Sequence, residues 1–119
     1  MMFVLEEDGF LHVYDSAQAV ETSIEALDAE DIIRLAFDEA GHSFRIEWIK
    51  ANRIGKGLLG FFRSAQNGHY RLVREQLTNS GIPDAIRAAR GVTSESRKLN
   101  SDSIEKALMS IAGNTKWEH

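Results

Sequence analysis

Histidine is the side chain in this sequence that is best suited to acid–base chemistry near neutral pH. His42 and His69 border two segments that alternate like strands, and pairing across a sheet would bring them together as a general acid and a general base. The glycine-rich segment 53–68 lies between them and is typical of a functional loop. One hypothesis is therefore a small ligand-binding or enzymatic domain that uses segment 53–68 with His42 and His69.

Other catalytic and metal-binding patterns are missing from the sequence. Lys56 is followed by Gly57, whereas a phosphate-binding loop needs Ser or Thr at that position. The chain has no cysteine, which excludes thiolate metal sites, disulfides and cysteine nucleophiles. No two histidines have the i, i+4 spacing of a helical zinc site. We therefore expect no enzyme activity, no cofactor and no metal ion.

Charge is divided unevenly between the two halves of the chain. Residues 1–50 hold 12 carboxylates against 3 Lys and Arg side chains, a net charge of −9, whereas residues 51–119 hold 6 against 11, a net charge of +5. Mutual attraction of the two halves is one explanation, and attraction of a charged partner is the other. The second half is too weakly basic, with too few aromatic residues beside its arginines, to indicate direct nucleic-acid binding.

The carboxylates of the first half cluster at predicted connections between elements. Such clusters serve solubility, and they also form negative patches that attract a basic partner surface. We predict that five of them lie close together at one end of the sheet and contact a partner protein. A strand of about 20 Å between the clusters would instead divide the patch in two. The five residues are Asp28, Glu30, Asp31, Asp38 and Glu39.

The long segment 51–68 supplies a second candidate binding surface. Phe61 and Phe62 lie beside Arg63 among several glycines, and aromatic residues with arginine dominate the energetics of protein interfaces. Burial of both phenylalanine rings in the core is the alternative interpretation. We predict that Phe61, Phe62 and Arg63 belong to the partner-binding surface.

Hydrophobic periodicity predicts the order of elements in the first half. Strands are predicted over 3–5 and 10–14, and a helix over 16–27. Alternation around a glycine-containing turn predicts a hairpin of strands 32–37 and 44–48. This ββαββ order predicts an α+β fold built on an antiparallel sheet.

The second half is predicted to complete that fold. Residues 69–75 fit a strand slightly better than a helix, 92–100 read as a polar linker, and helices are predicted to begin near Pro83 and Asn100. We expect all helices to pack on one face of the sheet, within a single domain spanning residues 1–119. Phe37 and Trp48 are expected to be buried together against the first helix.

The first half of the chain also resembles small bacterial immunity proteins, which accompany polymorphic toxins, including those of contact-dependent growth inhibition systems. The resemblance spans about residues 3–50 and consists of a pattern of strand, helix and hairpin with characteristic turns. It is carried by segments 12–16, 19–21, 24–31, 36–41 and 44–47.

The resemblance implies a cytoplasmic protein that binds one cognate toxin domain and covers its active or substrate-binding site. Many such toxins are nucleases with basic clefts, which an acidic half would complement. The N-terminus has neither the basic region nor the apolar run of a signal peptide, and we expect no membrane association. The oligomeric state is left open by the sequence.

Overall fold

The computed structural model of the protein describes residues 1–50, 53–54, 65–66, 69–75 and 81–113. Within these ranges the chain forms strands β1 (Met2–Glu6), β2 (Leu11–Tyr14), β3 (Ile33–Asp38), β4 (Ser43–Lys50), β5 (Arg53–Ile54), β6 (Ala65–Gln66), β7 (His69–Arg74) and β8 (Val92–Ser94). The helices are α1 (Ala17–Ser23), α2 (Ala26–Ile32), α3 (Ile82–Ala88) and α4 (Ser101–Ala112). None of these helices is both long and apolar enough to cross a membrane.

Six of the strands form one sheet in the order β7-β4-β3-β1-β2-β8. All neighbouring pairs are antiparallel except β2 and β8, which are parallel. The short strands β5 and β6 form a separate antiparallel pair. The α+β class and the mainly antiparallel sheet are therefore confirmed, and the segment from His69 is a strand, as favoured from its sequence.

The helices pack on both faces of the sheet, so the expectation of one covered face is wrong. Phe3 and Phe37 point into a core with α3 and α4, whereas Val4 and Ala36 point into a second core with α1 and α2. Neighbouring residues of a strand point to opposite faces, and both kinds of position are apolar at Phe3 and Val4 of β1 and at Ala36 and Phe37 of β3. The central strands are therefore buried on both sides.

Phe37 and Trp48 accordingly lie on different faces rather than together against the first helix. The register places Phe37 opposite Ser43, so the alternation that follows in β4 puts Trp48 on the other side. Phe37 is fully buried and stacks on Phe3 with 5.1 Å between ring centroids. Trp48 is half-buried and tilted against Tyr70, with 5.8 Å between ring centroids.

Two short helices replace the single helix predicted over 16–27. The Oγ of Ser16 accepts a hydrogen bond from the Ala19 amide at 3.1 Å and caps α1. The backbone becomes extended at Ile24 and Glu25, and α2 then begins at Ala26. The Tyr70 hydroxyl donates to the Ile24 carbonyl oxygen at 2.8 Å, which gives the end of α1 a buried partner. Burial, with a smaller contribution from the charge of Glu21, raises the pKa of Tyr70 to about 12.

The segment that follows α3 forms a strand that its sequence did not predict. Residues 92–94, within the predicted polar linker, pair with β2 as strand β8. Three residues with two exposed polar side chains are too short to show strand periodicity. Helix α4 follows as predicted, capped by Asn100, whose Oδ1 accepts from the Ser103 amide at 2.8 Å.

Candidate functional site

The register of β1 against β3 decides which acidic clusters meet. Glu6 pairs with Ile33, and Met2 pairs with Asp38. The turn after β1 and the end of α2 therefore lie at the same end of the sheet, since α2 runs directly into β3 at Ile33. We call this region the acidic end, and it consists of the exposed carboxylates Glu7, Asp8, Asp28, Glu30 and Asp31.

Asp38 and Glu39 lie at the opposite end of β3, so the expected joining of all five predicted partner-binding carboxylates is wrong. Six residues of extended chain separate the acidic end from Asp38, which corresponds to about 17–20 Å. Asp38 Oδ1 accepts hydrogen bonds from the amides of Ala40 at 3.0 Å and His42 at 2.8 Å. Glu39 Oε1 accepts from the Met1 amine at 3.0 Å. These two carboxylates serve the fold locally.

The carboxylates of α2 are placed differently. Asp28, Glu30 and Asp31 lie on α2, whereas their sequence placed them in a connection between the helix 16–27 and the strand 32–37. Glu30 and Asp31 occupy the last turn, which holds no basic residue. The negative end of a helix dipole disfavours carboxylates there, and Asp28 repels Asp31 at i, i+3 spacing. Among the described residues, none forms a hydrogen bond or ion pair with these three side chains.

A second cluster surrounds His12 and shares Asp8 with the acidic end. The His12 Nε2 lies 2.8 Å from Asp8 Oδ2, and its Nδ1 lies 2.6 Å from Glu95 Oε1 and 3.6 Å from Glu6 Oε2. The Tyr14 hydroxyl donates to Glu6 Oε2 at 2.7 Å. The cluster thus joins the β1–β2 turn, both strands of that hairpin and the segment after β8.

The environment of the cluster shifts the pKa of several members. Burial alone would lower the pKa of His12, but its bonds to Glu95 and Asp8 and the charge of Glu6 outweigh burial, and the pKa is raised. Burial raises the pKa of Glu6 against the opposing hydrogen bond from Tyr14. The Phe10 amide, which donates to Asp8 Oδ1 at 2.9 Å, is the main cause that lowers the pKa of Asp8.

The geometry of the His12 cluster is that of an ion-pair network rather than a metal centre. Both ring nitrogens face carboxylate oxygens, so neither is turned toward an open coordination position. Across the described ranges, no group of three or more His, Cys, Asp or Glu side chains is arranged to hold a metal ion. Sequence reasoning missed this cluster. The four-residue spacing of Asp8 and His12 across a hairpin was its one local signal.

The histidine pair considered from the sequence does not form. His42 precedes the first residue of β4, whereas His69 pairs with Lys50 at the last residue. The eight-residue length of β4 separates them by about 23 Å, which excludes a shared acid–base site. His42 instead contacts Asp38 Oδ2 through Nδ1 at 3.2 Å.

The remaining predicted site residues, Phe61, Phe62 and Arg63, lie outside the described residues, as does most of the glycine-rich segment 53–68.

Two arginine side chains of the basic second half contact other parts of the same molecule. Arg87 donates through Nη2 to the Ala112 carbonyl oxygen at 2.7 Å and so caps the end of α4. Arg90 lies over the Phe10 ring, 5.3 Å from its centroid, and its amide donates to the Gly9 carbonyl oxygen at 2.8 Å. Both arginine side chains are thus engaged in contacts inside the molecule.

Comparison with known proteins gave no match. No family model matches the chain, and no curated protein and no solved structure is similar to it. The acidic end and the His12 cluster are therefore interpreted from their own geometry.

Proposed function

We propose that this protein is a cytoplasmic immunity protein that binds a cognate bacterial toxin domain and covers its active or substrate-binding site. The acidic end is the proposed contact surface. Support comes from the resemblance of residues 3–50 to immunity proteins and from the placement of the acidic side chains. The proposed partner is a protein with a basic surface, such as the cleft of a nuclease.

The placement of Glu30 and Asp31 is the observation that carries this proposal. Carboxylates at the negative end of a helix lower its stability by about 0.3–1 kcal/mol each at most, and no described cation compensates them. Residues that function needs are often the ones that the fold disfavours. A basic partner would supply the missing countercharge.

The charge of the acidic end suits fast and selective encounter. Three exposed carboxylates on α2 and two on the β1–β2 turn lie at the same end of the sheet, and exposed charges act on a partner over the Debye length, about 8–10 Å. Their fields therefore add at the surface and steer a basic partner toward this end of the sheet. Exposed charges of this kind act mainly on the association rate and its dependence on salt.

Gene context and protection of growth form the first test of the proposal. The toxin domain encoded directly beside this protein is expressed alone and together with it, and growth of the host is measured. We expect the toxin domain alone to arrest growth and co-expression of the protein to restore it. We also expect the two proteins to purify as a complex of defined stoichiometry. A neighbouring toxin that neither binds the protein nor is neutralised by it would contradict the proposal.

Charge reversal then tests the contact surface. Replacement of Asp28, Glu30 and Asp31 together by Lys is expected to abolish protection, whereas the matched pair Asp38→Lys and Glu39→Lys is expected to retain binding if the fold persists. Circular dichroism and thermal unfolding check the fold of both variants. Retained protection by the folded α2 variant would remove the acidic end from the interface.

A further inference from the structure

The two ring nitrogens of His12 have the same kind of neighbour, which constrains the protonation state of the ring. A neutral imidazole has one N–H donor and one bare nitrogen, whereas a carboxylate oxygen can only accept. His12 nevertheless places Nε2 at 2.8 Å from Asp8 and Nδ1 at 2.6 Å from Glu95. Both contacts are hydrogen bonds only when the ring carries two protons.

The same contacts predict which bond breaks when the proton leaves. Nδ1 faces Glu95 at 2.6 Å and also Glu6 at 3.6 Å, whereas Nε2 faces Asp8 alone. A single remaining proton is therefore better stabilised on Nδ1. A bare Nε2 beside the Asp8 carboxylate is repulsive, and the Asp8 side chain is 48% exposed, so water can replace the ring.

We propose that His12 is a proton switch that couples the β1–β2 turn to the segment after β8. In its protonated form the ring holds Asp8 and Glu95 at once, and in its neutral form it keeps Glu95 and releases Asp8. The proton passes between Nε2 and solvent, so no other group changes its charge. Loss of the proton removes the positive charge of the ring from beside Asp8, so the net charge at the acidic end becomes more negative by one, and the switch itself does not depend on what that end binds.

The charged and titratable groups around the ring favour this behaviour. Glu6 comes from β1, Asp8 from the turn, Tyr14 from β2 and Glu95 from the segment after β8. Among the described residues, Arg90 is a cation close to the turn, and its Nη1 donates to the Asp8 carbonyl oxygen at 3.4 Å. Three carboxylates against one arginine leave the site negative, and a negative site stabilises the imidazolium.

Nuclear magnetic resonance of the His12 ring tests the switch. The ring ¹⁵N and ¹³C shifts are followed from about pH 5 to about pH 9 in the intact protein. We expect a midpoint above the ordinary 6.5, a doubly protonated ring below it, and the Nδ1–H tautomer above it. The Asp8 carboxyl carbon is expected to shift at the same midpoint.

Two isosteric variants and one control make the test specific. Asp8→Asn and Glu95→Gln are each expected to lower the midpoint of His12. Glu7→Gln removes an exposed carboxylate from the same turn that makes no described contact with the ring, and it is expected to change the midpoint less. A ring that titrates at or below 6.5 in the folded protein, a neutral Nε2–H form, or equal effects of all three variants would overturn the proposal.

Discussion

The two ends of β3 carry the same type of side chain in different structural settings. At one end, the Asp38 side chain accepts hydrogen bonds from two backbone amides and contacts the His42 ring. These bonds close the β3–β4 hairpin. At the other end, Glu30 and Asp31 extend from the last turn of α2 without a described partner. The described part of the fold accounts for the first carboxylate and not for the second pair. Sequence clustering of acidic residues is therefore a poor guide to function until their hydrogen bonds are known.

The largest effect is expected from the core beside the Asp38 end. Phe37→Ala removes a fully buried ring stacked on Phe3 and is expected to lower the free energy of unfolding by about 3–5 kcal/mol. Arg34→Ala, in the same strand but exposed, is the control and is expected to change it by about 0.5 kcal/mol or less. Denaturant unfolding measures both. Equal losses would show that the burial of the Phe37 ring is wrong.

A smaller loss is expected from the hairpin carboxylate itself. Asp38→Ala leaves the amides of Ala40 and His42 without their acceptor and is expected to cost about 1–3 kcal/mol. Asp38→Asn keeps a carbonyl acceptor and is expected to cost less. Asp31→Asn is the matched change at the acidic end and is expected to leave thermal stability nearly unchanged. A similar loss of stability at both positions would show that the carboxylates at the two ends of β3 have the same structural role.

Much of this contrast was beyond the reach of sequence reasoning. Alternation and turn residues predicted the two hairpins, and the spacing of Ile104 and Leu108 predicted α4. The interruption at Ile24 was missed because a stripe of apolar residues continues through it, and the bond from Tyr70 that accompanies the break comes from a distant strand.

The His12 cluster was missed for a related reason. Glu95 lies 83 residues from His12 in the chain, and the two meet only because β8 pairs with β2. A strand of three residues is too short for its local sequence pattern to predict it. The separation of the acidic clusters, in contrast, was available as a geometric alternative from the length of the predicted strand.

A pH-dependent change in stability is expected from the His12 cluster. The pKa of His12 is higher in the folded protein than its ordinary value of 6.5. The protonated ring therefore contributes fully to the free energy of unfolding below about pH 6.5, and this contribution is lost as pH rises through the folded pKa. Burial raises the pKa of Glu6 and the Phe10 amide lowers that of Asp8, so a variant that lacks the ring is needed to isolate the contribution of His12. Chemical unfolding at several pH values measures the effect. His12→Gln is expected to remove it, and an unchanged pH profile in that variant would contradict the prediction.

The smallest effect is expected from neutralising the end of α2, and its sign is the informative part. Glu30→Gln combined with Asp31→Asn removes two charges from the negative end of the helix dipole. We expect the free energy of unfolding to rise by about 0.5 kcal/mol, most clearly at low salt. Thermal unfolding at two salt concentrations measures it. A clear loss of stability would mean that these carboxylates have a structural role.

The proposed binding role of the acidic end is tested most directly by association kinetics with the cognate toxin domain. One variant combines Asp28→Asn, Glu30→Gln and Asp31→Asn, and a charge-matched variant combines Glu39→Gln, Asp84→Asn and Asp102→Asn elsewhere on the surface. We expect the first variant to associate about tenfold more slowly at low salt, with the difference shrinking as salt rises, and the second to change much less. Equal association rates for the two variants, with both folds intact, would contradict the assignment of the acidic end as the binding surface.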